Sequence, residues 1–492
     1  MRPLTSLDTF FLAAEDGRTV TNVSSLAILD KYGPDGKTLT RKHLQDLIGE
    51  RLHLLAPLRW RLATVPFGVG HPYWIDGEVD LDFHVRELAL VAPGDLAALE
   101  TQVARLAEHP MDRSHPLWEV YLIHGLQDDR VAVLTKLHHA AVDGMSGAEV
   151  MNILLDGSPD GRDIAPAPRY RPEKEPGQLS MLARGLAAIP GQQLNSIGAA
   201  QRTMTNLDHV AVLRSIPGIG RIGRTVRGAT QLYQGDGSAL TAPSVTAPRL
   251  RINGRISPHR QLALVSLPLD EVKALKEHFH TTVNDVVVAL CTGALRRWLL
   301  DLGELPDKPL VGMIPISVRT KKEFGTFGNK VSSMVAELPT DEPNPIVRLR
   351  RCREGLREAK ETMHAVPASL MRDANDLVPP ILFGRAMGLV TTFASSEALA
   401  PAANLVVSNV PGSRSRLYCA GHAVLEHYPV STISDSLGLN VTVFSYTDRL
   451  EIGLVGDSTL VENLHGLAAA FPDELKLLNE AQSATSSEGV IQ

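Results

Sequence analysis

Five prolines between Asp156 and Pro176 divide this chain in two. Pro159, Pro166, Pro168, Pro172 and Pro176 stand among glycines and mixed charges. Proline removes a backbone donor and fixes φ, so the stretch reads as a linker or long surface crossover and not as core. The segment that follows, Gln178 to about Tyr233, is rich in Ala, Gly, Leu and Ile. It sets Arg184, Arg202, Arg214, Arg221, Arg224 and Arg227 against one acid, Asp208, for a local charge of +5 in a chain of net charge −6. On either side lie stretches of mixed helix and strand patterning. A length of 492 residues accommodates two large lobes and the insertion between them.

The first stretch covers 1–155. Ser24–Leu29 and Val131–Leu137 read as strands. Asp95–His109 reads as a helix, with Leu96, Leu99, Val103 and Leu106 on one face. Gly147–Leu155 reads as another. Linker and crossover together occupy 156–240, and a second lobe occupies 241–480. In that lobe Asp270–His278 and Val283–Leu300 read as helices. Arg260–Pro268, Leu310–Ser317, Asn404–Ser408, Leu439–Tyr446 and Leu450–Val455 read as strands. Residues 481–492 form a Ser-rich polar tail that is expected to fray. The expected fold class is α/β, as two lobes joined by a long crossover.

Several function classes fall away. The mild negative charge argues against a dedicated nucleic-acid binder. Cys291, Cys352 and Cys419 are far apart and odd in number, which fits a reducing cytosol and gives neither a disulfide framework nor a cysteine zinc site. The opening Met1-Arg2-Pro3-Leu4-Thr5-Ser6-Leu7-Asp8 lacks the apolar region of a signal peptide. No apolar run approaches the ~18 residues of a spanning helix, so membrane contact is expected to be peripheral.

The chemistry concentrates in His138-His139-Ala140-Ala141-Val142-Asp143-Gly144, directly after the Val131–Leu137 strand. A neutral imidazole of pKa near 6.5 can take the proton of an alcohol as a new bond forms. Successive strand side chains point to opposite faces, so only one of the two histidines should face a given cavity. Asp143 would order the loop through an arginine or backbone N–H groups, and Gly144 would allow a tight turn. The plainer alternative is that the histidines end a strand and Asp143 starts a helix. A metal site at His139 and Asp143 lacks a convincing further ligand. No GxSxG elbow and no cysteine in a catalytic context compete as a nucleophile.

His138-His139-x-x-x-Asp143-Gly144 resembles the HHxxxDG motif of the CoA-dependent acyltransferase superfamily. Other blocks are similar to its bacterial wax ester synthase/diacylglycerol acyltransferase branch. They are Ser6-Leu7-Asp8 with Phe11-Leu12 and Glu15; Pro116-Leu117-Trp118-Glu119; Asn284-Asp285-Val286; Pro315-Ile316-Ser317-Val318-Arg319; Gly328-Asn329; Ser408-Asn409-Val410-Pro411-Gly412; Tyr428-Pro429-Val430; and Asn440-Val441-Thr442. Thr21-Asn22-Val23-Ser24 departs from that family's usual Met-His-Val-Gly, and the region around Asn253-Gly254 and Arg260-Gln261 matches only partly.

The resemblance implies two chloramphenicol-acetyltransferase-like lobes with an active-site tunnel between them. It implies His139 as general base, His138 as its support, Asp143 as a structural residue with Arg319 a candidate partner, and Gly144 and Asp285 as support. Asn284 would serve the active site, where an amide N–H can stabilise a thioester oxyanion by about 3–4 kcal/mol. Capping the following helix is the equal alternative for it. Pro116-Leu117-Trp118 reads as structure. Acyl-CoA would be a co-substrate, with no cofactor and no metal, and a diacylglycerol or long-chain alcohol the acceptor. A specialised polyketide-type acceptor, or a non-catalytic lipid-binding role in lipid inclusions, are the alternatives. The expected location is cytoplasmic, with peripheral contact to the inner membrane face or lipid inclusions.

Gly218-Ile219-Gly220-Arg221-Ile222-Gly223 fits GxGxxG, but Pro217 precedes it and no acid stands at the required distance, so it is not a dinucleotide site. The arginines among Ile, Val and Leu there suit either an anionic lipid surface or a solvated crossover helix.

Overall fold

The computed structural model describes residues 1–142, 144–167, 172–187, 246–317, 331–365 and 400–488. The strands form one small sheet and two large ones. β1 (Arg2–Pro3), β3 (Trp60–Ala63) and β4 (Tyr73–Asp76) make the small sheet in the order β1-β4-β3. The first large sheet takes β2 (Asn22–Asp30), β5 (Val85–Ala89), β6 (Trp118–Leu126) and β7 (Arg130–His138) from the N-terminal half. The second takes β8 (Arg260–Pro268), β9 (Leu310–Ser317), β10 (Val331–Leu338), β11 (Leu405–Val410), β14 (Leu439–Tyr446) and β15 (Arg449–Asp457) in the order β10-β9-β11-β14-β15-β8.

The expected division at 155 and 241 does not hold for every strand. β12 (Tyr418–Cys419) and β13 (His422–Val430), from the C-terminal half, complete the first large sheet in the order β12-β13-β2-β7-β6-β5. The lobe regions are thus interleaved through one hairpin. β13 packs against β14 and β15 and forms a seam between the sheets. The approach is close at Gly453, where a Cβ would lie 1.8 Å from the Pro429 carbonyl oxygen. A second seam comes from the helix Leu96–Ala107, which lies on β8. Its Glu100 accepts the Leu264 backbone N–H at 2.8 Å.

Local sequence explains the helix starts. Thr5 and Asp8 close a capping box on the helix Ser6–Ala14, and Thr40 with His43 on Arg41–Arg51. Asp95 caps Leu96–Ala107 by accepting the Ala98 N–H at 2.8 Å. The helix expected from Gly147 begins at Gly144. The expected frayed tail is helical as far as Glu488, since the helix Leu464–Glu488 continues through it. The Ser483 hydroxyl returns a hydrogen bond to the Asn479 carbonyl there.

The crossover leaves the first lobe from a buried anchor. Asp156 pairs with Arg51 at 2.6 Å, and Arg51 also donates to the Ile153 and Leu154 carbonyls. Farther on, Glu173 N–H bonds the Asp76 carbonyl, and Arg61 pairs with Glu175, so the proline stretch is strapped along the small sheet. The helical turns at 178–187 bury Met181 with Ala63, Val65 and Ile75. Arg184 is exposed there. Arg202, Arg214, Arg221, Arg224, Arg227 and the Gly218–Gly223 motif lie outside the described residues.

Candidate active site

β7 ends at His138, and the chain turns at once. Ala141 and Val142 N–H groups fold back on the His138 carbonyl at 2.9 and 3.3 Å. Ala140, Ala141 and Val142 are buried in the first lobe's core, which plugs the turn in place. His139 N–H is held by the Thr21 carbonyl at 2.8 Å. The two imidazoles therefore part company. His138 is 1% exposed and turned into the protein, while His139 is partly exposed.

His138 is held on both ring nitrogens. Ala140 N–H donates to its Nδ1 at 3.0 Å, which places the ring proton on Nε2. That nitrogen lies 3.2 Å from the Glu15 carboxylate and 3.2 Å from the Thr21 hydroxyl. Glu15 also takes Thr21 N–H at 3.1 Å and Arg113 Nη2 at 2.8 Å. Burial pushes the Glu15 carboxyl up, but the His138 contact, Arg113 and the Thr21 N–H outweigh it and bring it down to about 2. The carboxylate is thus a fixed anion at neutral pH.

Two positions away on β7, Lys136 is fully buried and donates to Glu119 at 3.2 Å and to the His109 carbonyl at 2.7 Å. Its desolvation lowers its pKa, against the pull of Glu119. Asn22 joins the same carbonyl through Nδ2 at 3.1 Å. Both departures at Thr21 and Asn22 thus serve the framework under the histidines.

His139 meets the N-terminal helix instead. Its ring stacks on Phe11 with centroids 4.0 Å apart and planes 17° from parallel. The turn and the Thr21 carbonyl fix the His139 backbone at the strand's end, and the Phe11 ring sets the plane of its imidazole. Asp143 and Arg319 lie outside the described residues. Gly144 opens the helix Gly144–Leu154 and does not form the separate tight turn expected of it.

Asn284 stands in the other lobe. The capping alternative fails for it, because the helix begins at Val283 and Thr282 is the cap, boxed with Asp285 at 2.8 and 3.2 Å. Asn284 occupies the helix's first turn, and its Oδ1 accepts from Asn409 Nδ2 at 3.2 Å. The contact ties two sequence blocks more than a hundred residues apart. Trp118 is buried and structural: it donates Nε1–H to the Leu58 carbonyl at 2.8 Å and stacks on His84.

Sequence reasoning weighed neither Glu15, Arg113 nor Thr21 as parts of the histidine framework, nor Asn409 as Asn284's partner. For the first three, the signal available was the acid one helical turn past Phe11. For Asn409, no local pattern reports the pairing.

Known proteins resemble this chain along most of its length. The model of the wax ester synthase/diacylglycerol acyltransferase catalytic domain matches residues 4–287, and that of the WS/DGAT C-terminal domain matches 327–479. The chain belongs to this family. It is therefore an acyltransferase, with an acyl donor and an acyl acceptor as its substrate classes. A Mycobacterium tuberculosis protein named for diacylglycerol O-acyltransferase activity is 33% identical over 98% of this acyltransferase and 90% of its own length. The solved wax ester synthase/diacylglycerol acyltransferase from Marinobacter aquaeolei VT8 is 27% identical, with a TM-score of 0.68 over 98% of this chain and 100% of that one. The starter condensation domain of rhizomide synthetase shares the fold at 13% identity and a TM-score of 0.53, covering 98% and 94%.

Among the described residues no helix is long and apolar enough to cross a membrane, and no group of His, Cys, Asp and Glu is arranged to hold a metal ion.

Proposed function

We propose that this acyltransferase moves a long-chain acyl group from acyl-CoA to a lipid alcohol, with His139 as the general base. The single observation that carries the reading is the division of labour at the end of β7. His138 is sealed against Glu15, while the His139 ring lies at the turn, fixed against Phe11. His139 accepts the hydroxyl proton as the oxygen attacks the thioester carbonyl. The carbon–sulfur bond then breaks, and the thiolate takes the proton back from the imidazolium. Asn284 donates to the oxyanion between these steps. Asp143 orders the loop, with Arg319 as its partner, and no cofactor beyond the acyl-CoA substrate takes part.

The relatives named for diacylglycerol acyltransfer support triacylglycerol as a product, and the Marinobacter enzyme's name supports wax ester as well. Both acceptors reside in lipid phases, so we place the working enzyme at a membrane or lipid-inclusion surface, with the arginines of the crossover toward anionic lipid.

Palmitoyl-CoA supplied with hexadecanol or with a diacylglycerol, and thiol release followed, tests the reading. His139→Ala should lower the rate at least 10²-fold with both acceptors while the far-UV spectrum is unchanged. Full activity in that variant would refute the assignment.

A further inference from the structure

Phe11 and Glu15 stand one helical turn apart at the end of the helix Ser6–Ala14, and they reach the two adjacent histidines separately. Glu15 holds the histidine that is turned inward. Phe11 lies face to face on the histidine that is not. Its ring has Phe10 edge-on at 5.5 Å and 71°, and its backbone is held by the Thr21 hydroxyl on its own carbonyl at 3.1 Å and by Arg113 on the Leu12 carbonyl at 2.7 Å. This much bracing fixes the plane against which the His139 imidazole rests.

The face of a benzene ring is the negative end of its quadrupole. It attracts an imidazolium lying over it more strongly than a neutral imidazole. In the proposed reaction His139 passes from neutral to cationic as the acceptor oxygen gives up its proton and bonds the acyl carbon. It returns to neutral as the carbon–sulfur bond breaks and the thiolate is protonated. An interaction that strengthens only as the charge develops accelerates the step without tightening substrate binding.

We infer that Phe11 is a positioning residue for this base: its ring fixes the imidazole plane and stabilises the imidazolium form of His139. The inference rests on reading His139 as the base. Among the described residues, the titratable groups nearest in sequence on the two elements that meet at His139 are Asp8 of the N-terminal helix and Glu15 at its C-cap, and His138 and Lys136 on β7; Arg113 is bound to Glu15. Asp143 follows in the motif. Replacing Phe11 leaves all of them in place.

The test uses the full chain with palmitoyl-CoA and hexadecanol, and thiol release is measured across pH. Phe11→Leu keeps an apolar side chain over the imidazole and removes the π face. It should lower kcat by roughly 2- to 30-fold, leave the KM for palmitoyl-CoA unchanged, and move the acid limb of the kcat profile to lower pH. The direction follows because the protonated form loses its stabiliser, so His139 stays neutral to lower pH. Phe11→Tyr should restore both rate and limb. If Phe11→Leu does not fold, Phe11→Met takes its place. An acid limb unmoved by loss of the ring, or a Tyr variant as impaired as Leu, overturns the inference. Full activity in His139→Ala instead overturns the base assignment beneath it.

Discussion

Two buried glutamates, one in each sheet region, show how differently the halves treat a charge. Glu15 lies under the histidine turn and collects four partners: His138, Arg113, and the backbone and hydroxyl of Thr21. It is held down at about 2. Glu451 lies on β15, 1% exposed, directly across the ladder from Ser266 and near Tyr428 and Glu426 of β13. Its Oε2 has no hydrogen-bond partner, and the Tyr428 hydroxyl is committed to Glu426 at 2.8 Å. Burial pushes Glu451 up to about 7, against the pull of Ser266, Arg449 and Tyr428, with Glu426 adding repulsion. A carboxylate is thus held ionised where a histidine must be aimed, and tipped toward its neutral form by burial at the seam between the sheets.

The difference makes opposite predictions in pH, and Glu15 carries the larger. Its carboxyl is depressed in the folded state, so its contribution is complete above about 4.5 and is lost as pH falls toward about 2. Glu15→Gln should cost about 3 kcal/mol in urea unfolding at pH 7, with the deficit shrinking to nothing near pH 2. The same variant should lose activity, because His138 and Arg113 lose their common anion. A deficit that does not depend on pH would mean that Glu15 acts through packing alone.

Glu451 has the reverse sign. Its carboxyl is raised in the folded state, so the parent protein loses stability as pH rises from about 4.5 to about 7. Glu451→Gln should be more stable than the parent at pH 8, by roughly 1–2 kcal/mol once the buried amide's own desolvation is counted. No gain should remain below about pH 4.5, and thiol release should be unchanged. A variant less stable at pH 8 would show that Ser266, Arg449 and Tyr428 outweigh the burial.

What the sequence made legible follows from how local each signal is. Periodicity placed β7, β8, β9 and β14 and the helices Leu96–Ala107, Leu269–His278 and Val283–Asp301 to within a few residues. The histidine motif carried its own chemistry, because strand alternation alone says that two neighbouring imidazoles must diverge. β13 escaped, since Pro429 demotes a run of residues as a central strand. The structure tolerates it because β12 pairs only with Ala423 and His422, so among the described strands none takes a ladder hydrogen bond from the outer edge of β13 at Pro429, where Gly453 packs instead. Its partner β2 lies some four hundred residues earlier, and no window along the chain reports that pairing. Glu15 illustrates the same limit. It was visible beside the opening block, yet its role depends on Arg113, Thr21 and His138 arriving from three other segments.

The smallest expected effect tests whether the second lobe serves the site at all. Asn409 offers its amide N–H to the Asn284 oxygen across one hydrogen bond of 3.2 Å. Both residues are only part-buried, so removing the donor costs about 1 kcal/mol in stability at most. Its effect on rate should exceed that cost, because the bond decides which end of the Asn284 amide faces outward. Asn409→Ala frees the Asn284 side chain to rotate, and an oxygen turned toward the developing oxyanion repels it. Thiol release should fall several-fold with little change in melting temperature, and Asn284→Ala should add little further loss in the double variant. Additive losses would separate the two residues, and would leave the Asn409 contact a brace for the helix start and nothing more.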